Sequence, residues 1–382
     1  PGMDLPTGTV LRLMKAIYGL RQSPLLWYLT AMSFFESIGF TKCTSDVCLL
    51  YFENSLGSII VSVYVDDLTL SSTSQALIDW VLLLTRKRFP VRDVKPLVFT
   101  VGIHVKSESG FIRVSQKAYI EKMVNRFLQN TERKRKIPMA TNFNLHDEES
   151  PLMSKPNGVK SYQQIIGSLN YLAHSTRPDI LYAVNTLSRF LQNPRENHYE
   201  AAQHVVEYLN SSSELSITFR SVPGCINRLH AYCDASLTSI NTPDGRSTSG
   251  CLVFYNNNMV YWKSARQTVV SLSTMESELE AITLAVHQLK HLQHILHELH
   301  RTVHETVIYS DSLIAIKYLL SESLMLKPRT RHLALRYHFV RKELQEGKVK
   351  IVHVPGQEQL ADILTKPLSF PIFYKLRCEL LE

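Results

Sequence analysis

Nothing in these 382 residues is long and apolar enough to span a bilayer as a helix: no run of eighteen apolar residues occurs. A basic-then-apolar amino-terminal signal is also missing. Cysteine is sparse. The six present, Cys43, Cys48, Cys225, Cys233, Cys251 and Cys378, include no Cys-x-x-Cys pair, which argues against a zinc knuckle and for a reducing, intracellular setting. The first residue is Pro1 rather than methionine, so a segment of a longer precursor is expected. What is present describes a globular protein, 45% hydrophobic and 20% charged, with a length that predicts two or three domains. Lys plus Arg outnumber Asp plus Glu by 42 to 34. That modest surplus suits a polyanionic partner such as nucleic acid, and equally an ordinary basic protein.

One short stretch breaks the local pattern. In "SVYVDDLTL", residues 62–70, two adjacent aspartates interrupt apolar strand-like runs. Asp66 and Asp67 read as the turn of a tight hairpin, or as two carboxylates on a rigid tip, the oxygen ligands that Mg²⁺ prefers. Upstream, Ser23 suits an N-cap, Pro24 a first helical position and Gly39 a C′ position, predicting a helix over about 24–38. Downstream come a helix near "QALIDWVLLLTRKRF", a strand pair "LVFTVGIHV" and "FIRVSQ", and a helix "KAYIEKMVNRFLQ". The stretch 146–160, rich in charge, Pro, Ser and Gly, reads as a linker. Helical segments follow to about 210. From about 228 the texture becomes three strands, helix, strand, two helices, strand and helix.

Four acids stand at element ends in this last part. Asp234 ends "RLHAYCD", Asp311 ends "ETVIYSD", and Asp362 lies in "QLADILTKPL". The fourth comes from "STMESELEAITLAVHQLK". At roughly 100° per residue, Ile282, Ala285, Leu289, Leu292, Leu296 and Leu299 form one stripe, and Glu278 continues it upstream. Glu276 and Glu280 fall on nearly the opposite side, and Glu276 has capping-box spacing to Ser273. Glu278 is therefore expected to face the sheet, where a carboxylate is costly unless paired or metal-bound. Four clustered carboxylates suit two-metal hydrolysis of a phosphodiester, in which the ions sit about 4 Å apart.

These features, with "IYGLRQSPLLWY", "YVDDLTL", "TRPDILYAVNTLSRF", "STSGCLVF", "WKSARQTVVSLSTMESELEA" and "LADILTKPL" in that order, resemble the reverse transcriptase and ribonuclease H of a copia-type retrotransposon polyprotein. The resemblance implies an α+β and α/β chain in four parts: a partial palm and fingers over 1–105, a mostly helical thumb and connection over 106–227, a ribonuclease H-like mixed sheet over 228–370, and a tail over 371–382. It implies that Asp66 and Asp67 belong to the polymerase hairpin, and that Gly19, Ser23 and Pro24 line the template and incoming nucleotide. By the same resemblance Asp234, Glu278, Asp311 and Asp362 bind two Mg²⁺ ions for cleavage of RNA in an RNA/DNA hybrid. The implied partners are that hybrid, RNA template, DNA primer and the rest of the Pol polyprotein, in a cytoplasmic particle or the nucleus and not in a membrane.

The family's polymerase also carries a metal-binding Asp upstream of "IYGLRQSP". Asp4, in a Pro/Gly-rich context, is no substitute, so this chain alone is expected not to polymerise. His353 is either a product-release residue or a plain strand-end histidine. His287, His291, His294, His297 and His300 are expected to lie on a solvated face. The block Arg133 to Lys136 and the group Arg329, Arg331, Arg336 and Arg341 are candidates for phosphate contact. Two alternatives stay open: a nucleic-acid-binding remnant without chemistry, and an active polymerase whose first half lies outside these residues.

Overall fold

Pro24 in the first turn and Gly39 beyond the last frame helix α1 (Ser23–Ser37) in the computed structural model. Gly39 takes φ +96°, the left-handed conformation that ends a helix without a Cβ penalty. Ser23 differs from expectation. Gln22 holds the cap position, and the Ser23 hydroxyl instead donates to the Ile17 carbonyl at 2.6 Å. The structure describes residues 6, 9–10, 13–91, 94–129, 132–221, 224, 226–237, 245–321 and 331–382. Asp4, Cys225 and Arg329 lie outside them. Two units are distinguished, 1–94 with 294–301, and 95–293 with 302–382.

In the first unit α1 is followed by β1 (Thr41–Lys42), β2 (Leu49–Asn54), β3 (Gly57–Tyr64), β4 (Asp67–Ser72) and α2 (Gln75–Arg88). The strands pair antiparallel in the order β1-β2-β3-β4. Ile59, Val61 and Val63 alternate with less buried neighbours, the two-residue period of a strand with one covered face. They pack with Met32, Phe35, Leu50, Leu77 and Val81.

The second unit holds two sheets. Its first half contains β5 (Phe99–Thr100), β6 (Ile103–Glu108), β7 (Phe111–Ser115), α3 (Lys117–Phe127), α4 (Asn157–Ser175), α5 (Leu181–Leu187), α6 (Glu196–Ser211) and β8 (Ile217–Arg220). The predicted linker is shorter than read, because α4 begins within it at Asn157. Arg177, fully buried, is held by Asp179 through two hydrogen bonds of 2.9 and 2.7 Å and by Ser212.

Next come β9 (Arg228–Ser236), β10 (Thr248–Tyr255), β11 (Asn258–Arg266), α7 (Thr274–Glu298), β12 (Glu305–Ser310), α8 (Leu313–Leu320), α9 (Arg331–Gln345), β13 (Lys350–His353) and α10 (Phe370–Leu380). The strands form one mixed sheet in the order β11-β10-β9-β12-β13. β9, β10 and β11 are an antiparallel meander, while β9–β12 and β12–β13 pair parallel. Residues read as a tail form α10, whose Phe373, Leu376 and Leu380 are buried in the core shared with α3 to α6. Glu382 exchanges backbone hydrogen bonds with Ser216 and meets Arg220 at 2.6 Å.

Candidate active site

Parallel pairing of β9 with β12 brings their carboxyl ends to the same edge of the sheet, and each ends in an acid. Asp234 lies near the end of β9 with 2% exposure, and Asp311 directly follows β12. The third acid comes from α7. Its first turn is fixed by Ser273, which accepts from the Glu276 amide at 3.2 Å, and by Glu276, which accepts from the Leu272 amide at 2.7 Å. This is one bond of the expected capping box; the Glu276 carboxylate reaches Leu272 rather than Ser273. Buried Gln267 ties the same turn to the sheet, donating to Ser249 Oγ and to the Ser277 carbonyl, both at 2.9 Å. Glu278 is thereby aimed inward at 8% exposure.

The carboxylate oxygens of Asp234, Glu278 and Asp311 lie within 4.8 Å of one another. Such crowding disfavours the charged state. Burial, then Asp234 and Asp311, push Glu278 up to about 9. Burial and Asp234 raise Asp311 as well. Glu278 Oε2 is buried and has no hydrogen-bond partner, so one oxygen of this carboxyl group is left unsatisfied.

Asp362 arrives from the 3₁₀ turn Leu360–Leu364 on the Asp234 side. It is not part of the three-way group. Lys366 stands 2.9 Å from Asp362 Oδ1 and 3.7 Å from Asp234 Oδ2, and the Thr365 hydroxyl donates to Asp234 Oδ2. Burial and Asp234 push Asp362 up to about 7. Burial acts against the Lys366 ammonium, yet Asp234, Asp362 and Asp311 outweigh it and hold Lys366 above its ordinary value. The turn can approach this closely because Gly250 is the cross-strand partner of Asp234. A Cβ there would lie 2.7 Å from Thr365 Cγ2 and 2.9 Å from the Ala361 carbonyl oxygen.

Sequence reasoning passed over Lys366, Thr365 and Gln359. Gln359 is fully buried and donates to the Cys233 carbonyl at 2.9 Å, clamping the turn beside Asp234. Only Lys366 carried a readable signal, its four-residue spacing from Asp362 in "ADILTK".

At the other predicted site, Tyr64 pairs with Asp67 across β3 and β4. The turn is therefore Val65–Asp66 rather than the two aspartates, and Asp67 starts β4. Val65 takes φ +50°, and its carbonyl accepts from Trp27 Nε1 at 2.5 Å. Both aspartates are exposed. Among the described residues no third carboxylate joins them in a metal-sized group. Gly19 and Pro24 are exposed and Ser23 half-buried, at the start of α1.

Arg331 opens α9. Arg341, grouped with it as a phosphate candidate, is 6% exposed and donates from Nη2 to the Ser321 carbonyl, so its guanidinium lies inside the fold. The Arg133–Lys136 block is partly spent too, with Arg135 at 2.7 Å and Arg133 at 3.7 Å from Glu207. His353 is the exposed last residue of β13, and the five α7-region histidines are exposed.

Residues 1–141 match the family described as reverse transcriptase (RNA-dependent DNA polymerase). The chain is 34% identical over 366 residues to the retrovirus-related Pol polyprotein of transposon RE2 from Arabidopsis thaliana, covering 94% of this chain and 24% of that one. It is 32% identical over 271 residues to a transposon Ty5-1 protein of Saccharomyces cerevisiae, covering 70% of this chain and 86% of that one. The chain thus spans about a quarter of the length of the plant polyproteins it matches. Among solved structures, the foamy viral protease-reverse transcriptase in complex with dsDNA aligns with a TM-score of 0.49 and 13% identity, over 89% of this chain and 60% of that one. The RNase H1 of Halobacterium salinarum aligns with a TM-score of 0.28 and 19% identity, over 36% of this chain and 94% of that one.

Proposed function

Because the chain belongs to the reverse transcriptase family of copia-type transposon Pol polyproteins, we propose that its second unit hydrolyses the RNA strand of an RNA/DNA hybrid with Mg²⁺. The observation that carries this reading is the convergence of Asp234, Glu278 and Asp311 within 4.8 Å. Mg²⁺ fits the donor set: hard carboxylate oxygens, an orphaned buried oxygen on Glu278, and acids whose charges oppose one another until a cation offsets them. When bound, a pair of Mg²⁺ ions supplies charge neutralisation and activation at the scissile phosphodiester.

The protein's own residues do the rest. Asp234, Glu278 and Asp311 form the cradle, Asp362 extends it, and Lys366 offsets the charge between Asp362 and Asp234. Gln359 and Thr365 fix Asp362 and Asp234 relative to each other. Substrate choice follows the A-form-like shape and 2′-hydroxyls of a hybrid, with little reading of sequence. His353 serves product release only if it bends from its strand end toward the cradle.

For the first unit, Asp66 and Asp67 are proposed as polymerase metal ligands, with Gly19, Ser23 and Pro24 toward template and nucleotide; in the second unit, Arg329 and Arg331 are proposed to face nucleic acid. Two exposed carboxylates, with no third beside them among the described residues, favour the narrower reading for that site: nucleic-acid binding without DNA synthesis by these residues alone. Hybrid degradation with Mg²⁺, compared among wild type, Asp234→Asn and Glu278→Gln, tests the nuclease; primer extension tests the hairpin. Loss of cleavage in both variants is expected, and cleavage surviving in both removes the assignment.

A further inference from the structure

The segment "DILTKP", residues 362–367, folds a cation back onto an acid. The Asp362 carbonyl accepts from the amides of Thr365 and Lys366 at 3.1 and 3.3 Å, a turn that sets the Asp362 and Lys366 side chains beside each other. Pro367, without an amide, cannot continue it. The Lys366 ammonium then stands 2.9 Å from Asp362 Oδ1 and 3.7 Å from Asp234 Oδ2. Its contact with Asp362 is an ion pair without a directed hydrogen bond, and Asp234 Oδ2 has a separate donor in the Thr365 hydroxyl. The lysine side chain is 38% exposed, whereas both carboxylates are buried. The ammonium therefore has a way out to water, and the acids have none.

Counting ligands shows what the lysine stands in the way of. Asp234, Glu278 and Asp311 converge within 4.8 Å, carboxylates enough for one hard cation. A second cation about 4 Å away needs a ligand shared with the first, and of those three acids Asp234 is the one whose charge presses on Asp362. That leaves Asp234 and Asp362 as the carboxylates of the second ion, the pair that Lys366 holds. An ammonium and a divalent cation cannot both stand there, because like charges a few ångströms apart in a buried site repel strongly. We propose that Lys366 competes with the second Mg²⁺ for Asp362 and Asp234, so that one ion binds readily and the other enters only as the ammonium swings out to water. The group that offsets the acids is then also the group a second ion must displace, and it sets the divalent-ion concentration at which the cradle is complete. The inference rests on the proposed two-ion reading of the cradle.

The test is a Mn²⁺ titration without nucleic acid, the free ion counted by electron paramagnetic resonance, for wild type, Lys366→Gln, Lys366→Arg and Lys366→Gln combined with Asp362→Asn. Wild type is expected to bind one Mn²⁺ tightly and a second weakly. Lys366→Gln should tighten the second by roughly 10- to 100-fold, the range over which groups bordering a metal's ligands set its affinity, and shift the first far less. Lys366→Arg keeps the charge and should leave the second site weak, while adding Asp362→Asn to Lys366→Gln should undo the gain. A second-site affinity unchanged by Lys366→Gln overturns the proposal. So does equal tightening of both sites, the result that a general loss of positive charge gives. If the variants fail to fold, wild type decides: acetylation of the Lys366 amine by N-acetoxysuccinimide, read by mass spectrometry, should rise several-fold from EDTA to saturating Mg²⁺, and unchanged labelling overturns the competition. No Mn²⁺ bound by any of the proteins sinks the two-ion reading as well, whereas ions bound with affinities indifferent to Lys366 sink the competition alone.

Discussion

The chain carries two groups of carboxylates built on opposite plans. Asp66 and Asp67 are sequence neighbours, the last residue of an exposed turn and the first of β4, and Trp27 donates one indole hydrogen bond to the Val65 carbonyl of that turn. Asp234, Glu278 and Asp311 come from two strand ends and a helix, are more deeply set, and crowd within 4.8 Å. Adjacency in sequence gives two ligands cheaply, but successive residues of a strand point to opposite faces, so a third ligand must come from elsewhere. Convergence in space gives three at once, and the folded protein must then hold charges that repel. A cation relieves the second arrangement far more than the first.

The largest expected effect breaks that asymmetry directly. Glu278→Gln is expected to reduce hybrid cleavage by well over roughly 100-fold, more than a change outside the ligand shell costs. Asp67→Asn is expected to leave cleavage unchanged, and a comparable loss there, in the same gel assay, erases the distinction. Gly250→Ala should come next. Its new methyl meets Thr365 and the Ala361 carbonyl, so a loss of about 1 to 3 kcal/mol is expected by urea titration.

A third effect is pH dependence without metal. Glu278 and Asp362 bind protons more tightly folded than unfolded, so their contribution is full only below the ordinary values of 4.5 for Glu278 and 3.8 for Asp362, and is lost as pH climbs to about 7 for Asp362 and about 9 for Glu278. Calorimetry in EDTA should show Tm falling by a few degrees across that window, less so in Glu278→Gln and with added Mg²⁺. The smallest effect sharpens the other side. Trp27→Phe removes one hydrogen bond from the hairpin and is expected to cost about 1 kcal/mol, with hybrid cleavage untouched.

Much of this was legible beforehand. The order of strands and helices after residue 228 follows from periodicity, and Glu278 follows from the helical stripe because burial and the 3.6-residue repeat are both properties of sequence. Turn detail was not. Two aspartates looked like the loop, but pairing of Tyr64 with Asp67 leaves Val65 with positive φ, a cost that β-branched residues seldom advertise. α10 was read as a tail because its apolar residues find their partners among helices far earlier in the chain. Gln359 was invisible for the same reason, since its meaning lies in which carbonyl it meets, while Lys366 had only its four-residue spacing from Asp362 to mark it. Arg341 looked like a surface cation until Ser321 accounted for it.

Thr365 touches Asp234 across 131 positions of chain, and that span has a consequence for synthesis. On the ribosome the β9–β10–β11 meander can close early from neighbouring segments, but the last side of the cradle cannot exist until the 3₁₀ turn has emerged from the exit tunnel. A nascent chain therefore passes through a stage with a closed meander and an unfinished cradle, one in which the proposed nuclease activity would be withheld by translation itself.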